Sequence, residues 1–278
     1  MRSVTDTIYI SPDGGKRGTG LRELWVYREL FFFFAWRDIK VRYKQSFLGI
    51  GWAVLQPAIN AAIFTIFFNQ VAKIDTGSLT VPYPVFAYLG LSYWGAFNSA
   101  TTNVSNSILN NIGVINKIYF PRLIPPLSAV ALAIVDFCFA MLVFVILILI
   151  FRVPINIVGL ICVIPALLIL VFAAFAIGLV FAALNIKYRD ARSLLPFIIQ
   201  ATFFMTPVIY PVTMIPVKYR LLAYINPATG PIDSIKALLF SQPVNWLGLC
   251  ISMASALAVF IIGMWAFRRT ERHFVDYL

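Results

Sequence analysis

The chain of 278 residues is 61% hydrophobic and 12% charged, where a soluble domain is roughly half apolar and a quarter charged. That composition excludes a soluble globular protein; it describes an integral membrane protein, long enough for one compact membrane domain and no second soluble one. The net charge of +11 would point to nucleic acid in a soluble chain. In a membrane protein it reports cytoplasmic loops and anionic lipid, and no nucleic-acid partner is expected.

Residues 1–20 are polar and glycine-rich ("SPDGGKRGTG") and are expected to be flexible, with no cleavable signal peptide. Gly15-Lys16 resembles part of a phosphate loop, but position 10 is Ile, position 17 is Arg, and no strand precedes it. The full Gly-x-x-x-x-Gly-Lys-Ser/Thr pattern between a strand and a helix is therefore missing. This route to ATP is closed, and no cofactor is expected on this chain.

From residue 21 onward the sequence reads as a single membrane domain. Its first element is an interfacial helix over 22–45, containing "FFFFAWRDIKVRYK". Leu30 to Trp36 is an uncharged run of roughly 10 Å of helix, too short to span. Trp25, Phe32, Trp36, Ile39 and Tyr43 follow helical spacing, and Arg37, Lys40 and Lys44 occupy another side. Such a helix lies on the cytoplasmic membrane surface, with aromatics in the acyl boundary and cations at the headgroups. It is either a plain anchor or an anchor that also touches substrate or partner.

A span needs about 20 mostly apolar residues. Six such stretches are predicted, at about 48–72, 84–108, 124–150, 156–185, 193–213 and 244–267. With the N-terminus inside, only Lys73, Arg152, Lys218, Arg220 and Lys236 of the 22 Lys and Arg fall outside. The positive-inside rule favours that orientation, and an even number of spans puts both termini in the cytoplasm.

The second span turns polar at "NSATTNVSNSILNN", through Asn98, Ser99, Thr101, Thr102, Asn103, Ser105, Asn106 and Ser107. These groups must face protein or water, as helix–helix hydrogen bonds or as the wall of a hydrated path. The cytoplasmic turn 110–126, with Lys117 and Arg122, is expected to carry a short helix where a soluble partner could push. Asp136 is the acidic residue inside a span; a structural role and a functional one both remain open.

The loop 214–243 is too long for a turn, yet apolar. Two short pieces separated by Asn226-Pro227 and Gly230-Pro231 read as external re-entrant helices. Re-entrant backbone is tolerated where protein or a watery cavity covers it, which hints at a pore or gate. Cys138, Cys162 and Cys250 lie in apolar runs and read as packing residues. His273 stands in a charged tail, so no metal site is expected. No acid/base pair or nucleophile–base set suggests an enzyme. Trp52, Phe64, Phe67, Phe68, Tyr93, Trp94, Phe97, Phe203, Phe204 and Tyr210 are candidate channel aromatics, since sugar C–H faces stack on rings; ordinary packing is the competing reading.

Several motifs run in a familiar order. "RYKQSFLGIGWAVLQP" (42–57), "NKIYFPRLIPP" (116–126), "YRDARSLLPFIIQ" (188–200), "TPVIYP" (206–211), "INPATGPIDSIKALL" (225–239) and "ERHFVDYL" (271–278) resemble polysaccharide-exporting ABC transporter permeases, most of all the Wzm-type O-antigen permeases. Capsule and wall-teichoic-acid permeases are close relatives of these. Thr206 and Val275 depart from the Ser and Ala common there. The resemblance implies a homodimeric channel in the bacterial inner membrane above two nucleotide-binding ATPase subunits, which would hold ATP and Mg. It also implies a polyprenyl-diphosphate-linked polysaccharide as cargo, moved from cytoplasm to periplasm. The N-terminal helix and the turn holding Asn116, Lys117, Tyr119 and Arg122 would meet the ATPase, and the external helices, with Pro211, Asn226 and Pro227, would gate the exit. Arg37, Lys40, Arg42 and Lys44 are candidates for the diphosphate, because guanidinium and ammonium groups suit phosphate oxygens. A drug or lipid exporter, or an ATP-independent flippase or channel, is the alternative.

Overall fold

The computed structural model describes residues 21–44, 51–66, 81–188 and 190–271. Among these the chain is helical, without a strand. The helices are α1 (Leu21–Val26), α2 (Arg28–Lys44), α3 (Gly51–Phe64), α4 (Tyr83–Asn106), α5 (Ile112–Ile115), α6 (Ile124–Phe151), α7 (Ile157–Lys187), α8 (Ala191–Met205), α9 (Val217–Ala223), α10 (Thr229–Leu239) and α11 (Trp246–Glu271). The polar segment 1–20 and the closing motif beyond Glu271 lie outside the described residues.

Among the described residues, three helices, α6, α7 and α11, are long and apolar enough to cross a membrane. Their boundaries follow from local chemistry. α6 opens on Pro125-Pro126, where the first turn has no helical acceptor for an N–H anyway. It ends at Arg152, which adopts a left-handed cap (φ 50°). Asn156 caps α7 by accepting from the Val158 N–H at 2.9 Å. The outward sides of α6, α7 and α11 carry exposed Leu142, Ile146, Ile161, Ile164, Leu257 and Ile261, a surface suited to acyl chains and not to water.

α4 is the central helix, packed by α6, α7, α3, α8 and α10. Two of its buried tyrosines reach carbonyls on neighbouring helices. Tyr88 donates to Ala140 O at 3.0 Å and Tyr93 to Val163 O at 2.8 Å. In return, the buried Asn185 of α7 donates to Ser105 O at 2.9 Å. Apolar surroundings make an unpaired polar group expensive, so these bonds fix helix register.

Two expectations are corrected. The stretch 193–213 is not one helix: α8 stops at Met205, because Thr206 precedes Pro207 and takes an extended conformation. Gly230-Pro231 does not separate two helices. It forms the first turn of α10, where Pro costs no hydrogen bond. The expected helix in 110–126 does form, but it shrinks to α5, four residues preceded by a 3-10 turn at Leu109–Asn111.

α9 and α10 differ in kind. α9 buries none of its residues, whereas α10 sits between α7, α11 and α4 and buries nearly all of its own. Lys236 of α10 is 4% exposed. Its ammonium donates to Pro207 O at 2.9 Å and Val208 O at 2.5 Å, and it lies 4.0 Å from the centre of the Phe86 ring. One turn earlier, Asp233 accepts from the Tyr224 hydroxyl at 2.5 Å.

Burial pushes Lys236 down from 10.5 to about 7, with the Asp233 charge opposing; burial also raises the Asp233 carboxyl. Between pH 7 and 10.5 the unfolded lysine holds a proton that the native one has lost. Its contribution to stability therefore rises with pH across that window. Asp233 has the opposite sign: the native carboxyl keeps a proton above 3.8, so its contribution falls as pH rises from there. Thermal unfolding followed from pH 7 to 10 should show the lysine's rise, and Lys236→Met should flatten it.

Candidate functional site

A cleft of about 570 Å³ opens beside α4, walled by α3, α6 and α8. The helical repeat of α4 builds one wall. Gly95, Asn98, Ser99, Thr102 and Asn103 recur at three- and four-residue spacing and share that face. Facing them, Trp52, Gln56 and Asn60 recur every four residues along α3. Trp94 and Phe203 supply rings, 5.5 Å apart between centroids. Gln200 comes from α8, and Arg42 and Asp136 supply charge.

The polar half of α4 is thereby divided. Thr101, Ser105 and Ser107 turn inward and donate to carbonyls of their own helix, at 2.7–2.8 Å. Asn98, Ser99, Thr102 and Asn103 line the cleft, loosely linked at 3.2–3.3 Å. The inward hydroxyls are therefore satisfied within α4 itself and not by a neighbouring helix.

The candidate aromatics divide in the same way. Trp52, Trp94 and Phe203 line the cleft. Tyr93 and Phe97 are buried in the core, Tyr93 against Phe137 at 4.8 Å and Phe97 against Trp94 at 5.1 Å. Phe204 is exposed away from the cleft, and the Tyr210 hydroxyl donates to its carbonyl at 2.9 Å. Phe67, Phe68 and the Phe64 side chain lie outside what is described.

The four candidate cations divide three to one: Arg37, Lys40 and Lys44 share a small recess, and Arg42 turns to the cleft. Arg37 is engaged by Asp38 at 2.7 Å and donates to Asn111 Oδ1 at 2.7 Å, which ties α2 to the α4–α5 connection. Lys40 and Lys44 flank a small recess on the outside of α2, with Arg37 and Val41. Arg42 alone reaches the cleft, pairing with Asp136 at 3.2 Å. The Tyr43 hydroxyl also donates to Asp136, so this ring leaves the row of membrane-facing aromatics for the protein.

The phenylalanine run is likewise split. Phe32 and Phe33 face outward with Trp25 and Trp36, while Phe34 is 0% exposed, its ring 5.7 Å from Phe120. Phe120 and Ile115 are buried on either side of Asn116–Tyr119, which protrude as an exposed knuckle. Arg122 stands behind it, partly buried.

Of the gate candidates, Asn226 donates to Thr206 Oγ1 at 2.7 Å and accepts from the Ala228 N–H at 3.1 Å. Pro227 is buried, and Pro211 leads into the 3-10 turn Val212–Met214. Sequence reasoning missed Gln56, Asn60 and Gln200. The amides at i and i+4 in an apolar run were the available signal. It also missed Lys236, counted there only as an outside cation; the i, i+3 acidic–basic pair inside an apolar helix was the clue.

Residues 29–240 match the ABC-2 type transporter family. An O-antigen export system permease protein RfbA of Klebsiella pneumoniae is 29% identical over 243 residues, covering 87% of this chain and 92% of that protein. Its counterpart in Myxococcus xanthus is 26% identical over 249 residues, 88% of this chain and 92% of that protein. The polysialic acid transport protein KpsM of Escherichia coli is 22% identical over 240 residues, 84% and 91% of the two chains. The match takes in the cleft, the α2 contact with Asp136 and the α9–α10 pair alike, and this chain belongs to the ABC-2 type transporter family.

Proposed function

We propose that this chain is the membrane subunit of an ATP-driven exporter that moves polyprenyl-diphosphate-linked polysaccharide, O-antigen in the first place, from cytoplasm to periplasm. Capsule or teichoic acid would use the same architecture. The observation that carries the reading is the cleft: indole and phenyl rings alternate there with amides and hydroxyls. Rings stack on sugar C–H faces and amides bond sugar hydroxyls, whereas a purely hydrophobic cargo would waste the amides.

In this reading six spans sit in the inner membrane: α3, α4, α6, α7, α11, and α8 continued by the extended turn after Met205. The start of α2, the knuckle and the end of α11 share one end, since Phe34, Phe120, Ile124 and Phe267 belong to one core cluster. That end is cytoplasmic, because Lys117, Arg122, Arg268 and Arg269 gather there. α9 and α10 then lie at the periplasmic exit. The cleft is open along one side, which suits a homodimer in which a second copy completes the path.

A separate nucleotide-binding subunit supplies ATP hydrolysis and meets the exposed knuckle. Lys117→Glu with Tyr119→Ala is expected to abolish export at least about tenfold while leaving membrane insertion intact, read as surface glycan against chain abundance. The reading as a whole is tested in a deletion strain, with glycan stained in intact and in permeabilised cells. Lipid-linked glycan trapped inside supports it; unchanged surface glycan overturns it.

A further inference from the structure

Asp136 lies about 18 Å along α6 from Ile124, deep in an apolar helix. A carboxylate there needs partners. Both of its partners come from the last turn of α2, Arg42 and Tyr43. The ion pair is loose: the nearest guanidinium nitrogen stands 3.2 Å from the nearest carboxylate oxygen, against 2.7 Å for Arg37 and Asp38. The Arg42 side chain remains 44% exposed, facing the cleft, while Asp136 is 13% exposed. A fork–fork pair would be hard to exchange, whereas a loose pair at the rim of a polar cleft is open to competition from an anion with more oxygens and more charge.

α2 also has a second attachment. Phe34 packs on Phe120 and Arg37 bonds Asn111, on either side of α5 and next to the Asn116–Tyr119 knuckle. One helix of 17 residues therefore joins the charged rim of the cleft to the exposed surface at the other end.

Resting on the function proposed above, we infer that Asp136 is a built-in competitor for the substrate's diphosphate. It holds Arg42 while the cleft is empty, and an incoming diphosphate takes Arg42 from it and frees the end of α2 from α6. The helix then tilts about Phe34 and Arg37, and the knuckle reports an occupied cleft to the ATPase. Such coupling requires the ligand to favour the released state, which it does by bonding an arginine that the latched state withholds.

The test uses the complete transporter with its ATPase subunit in nanodiscs and farnesyl diphosphate as probe. Asp136→Asn is expected to bind the probe about five- to tenfold more tightly than wild type, because the competitor is gone. Its ATPase rate without probe should lie near the stimulated wild-type rate. Adding Arg42→Gln should remove the gain. In wild-type geometry, spin labels on Val41→Cys and the native Cys138, in a chain with Cys162→Ala and Cys250→Ser, should move apart when the probe binds; this holds whether or not the Asn variant folds. Equal or weaker binding by a folded Asp136→Asn, or an unchanged label distance with probe bound, overturns the latch and leaves diphosphate-linked cargo standing. Wild type that fails to bind farnesyl diphosphate at all overturns both.

Discussion

Lys236→Ala should lower stability by about 3 kcal/mol, seen as a fall in the apparent unfolding temperature of the detergent-purified chain. The carbonyls of Pro207 and Val208 lose the donor that now lies at 2.9 and 2.5 Å. Each unsatisfied buried carbonyl costs about 1–3 kcal/mol. A cavity replaces the lysine stem against Phe86, and the surroundings collapse into it only partly. Relief of the buried charge offsets some of this, so the net lies below the sum. Lys236→Met keeps the stem and should lose less than Lys236→Ala, with the same two carbonyls bare. The functional consequence follows from position: Lys236 pins the turn between α8 and α9 to the fixed helix α10. With the pin gone, reconstituted vesicles should leak small hydrophilic solutes if the turn between α8 and α9 closes the path proposed above. Unchanged unfolding and no leak would show that the turn is held by Asn226 and its neighbours instead.

Gly159→Leu is expected to cost more than about 3 kcal/mol, and Gly159→Ala about 1–3 kcal/mol. A Cβ at this position would sit 2.6 Å from the backbone N and Cα of Leu239 and 2.7 Å from the Leu238 carbonyl carbon. These are backbone atoms, so no side chain can swing away. The start of α7 is docked there on the end of α10 by the Asn156 N–H on Leu239 O at 3.1 Å. Separating the two helices breaks that bond and exposes the inner face of α10. Gly113 has nothing within 4 Å, so Gly113→Ala is the control and should stay within about 0.5 kcal/mol of wild type. Equal effects at the two positions would refute the close α7–α10 contact.

The first two helices, α1 and α2, show how far sequence reasoning reaches. Their helical spacing was legible, and so was their exposed aromatic side, which Trp25, Phe32 and Trp36 occupy. Four adjacent phenylalanines, however, look alike in sequence. Only the packed partner shows that Phe34 faces Phe120 while Phe32 and Phe33 face out. The four cations were legible as a group, but their separate engagements were not, because Asn111 and Asp136 lie 74 and 94 positions from Arg37 and Arg42.

Sequence by itself determined the membrane class, the helical architecture, the ends of α4, α6, α7 and α11 to within a few residues, and the family likeness. Hydropathy length, proline placement and cation asymmetry are local or additive properties, so they can be read without a fold. Tertiary structure alone decided that α4 turns half its polar residues to a cleft and half to its own backbone. It also decided that α10 is buried while α9 is not, that Lys236 pins a turn nearly 30 residues away, and that Asp136 meets Arg42 and Tyr43. Each of these depends on which helix lies beside which. In an apolar surrounding a buried polar group without a partner is costly, and its partner is set by packing and not by proximity along the chain.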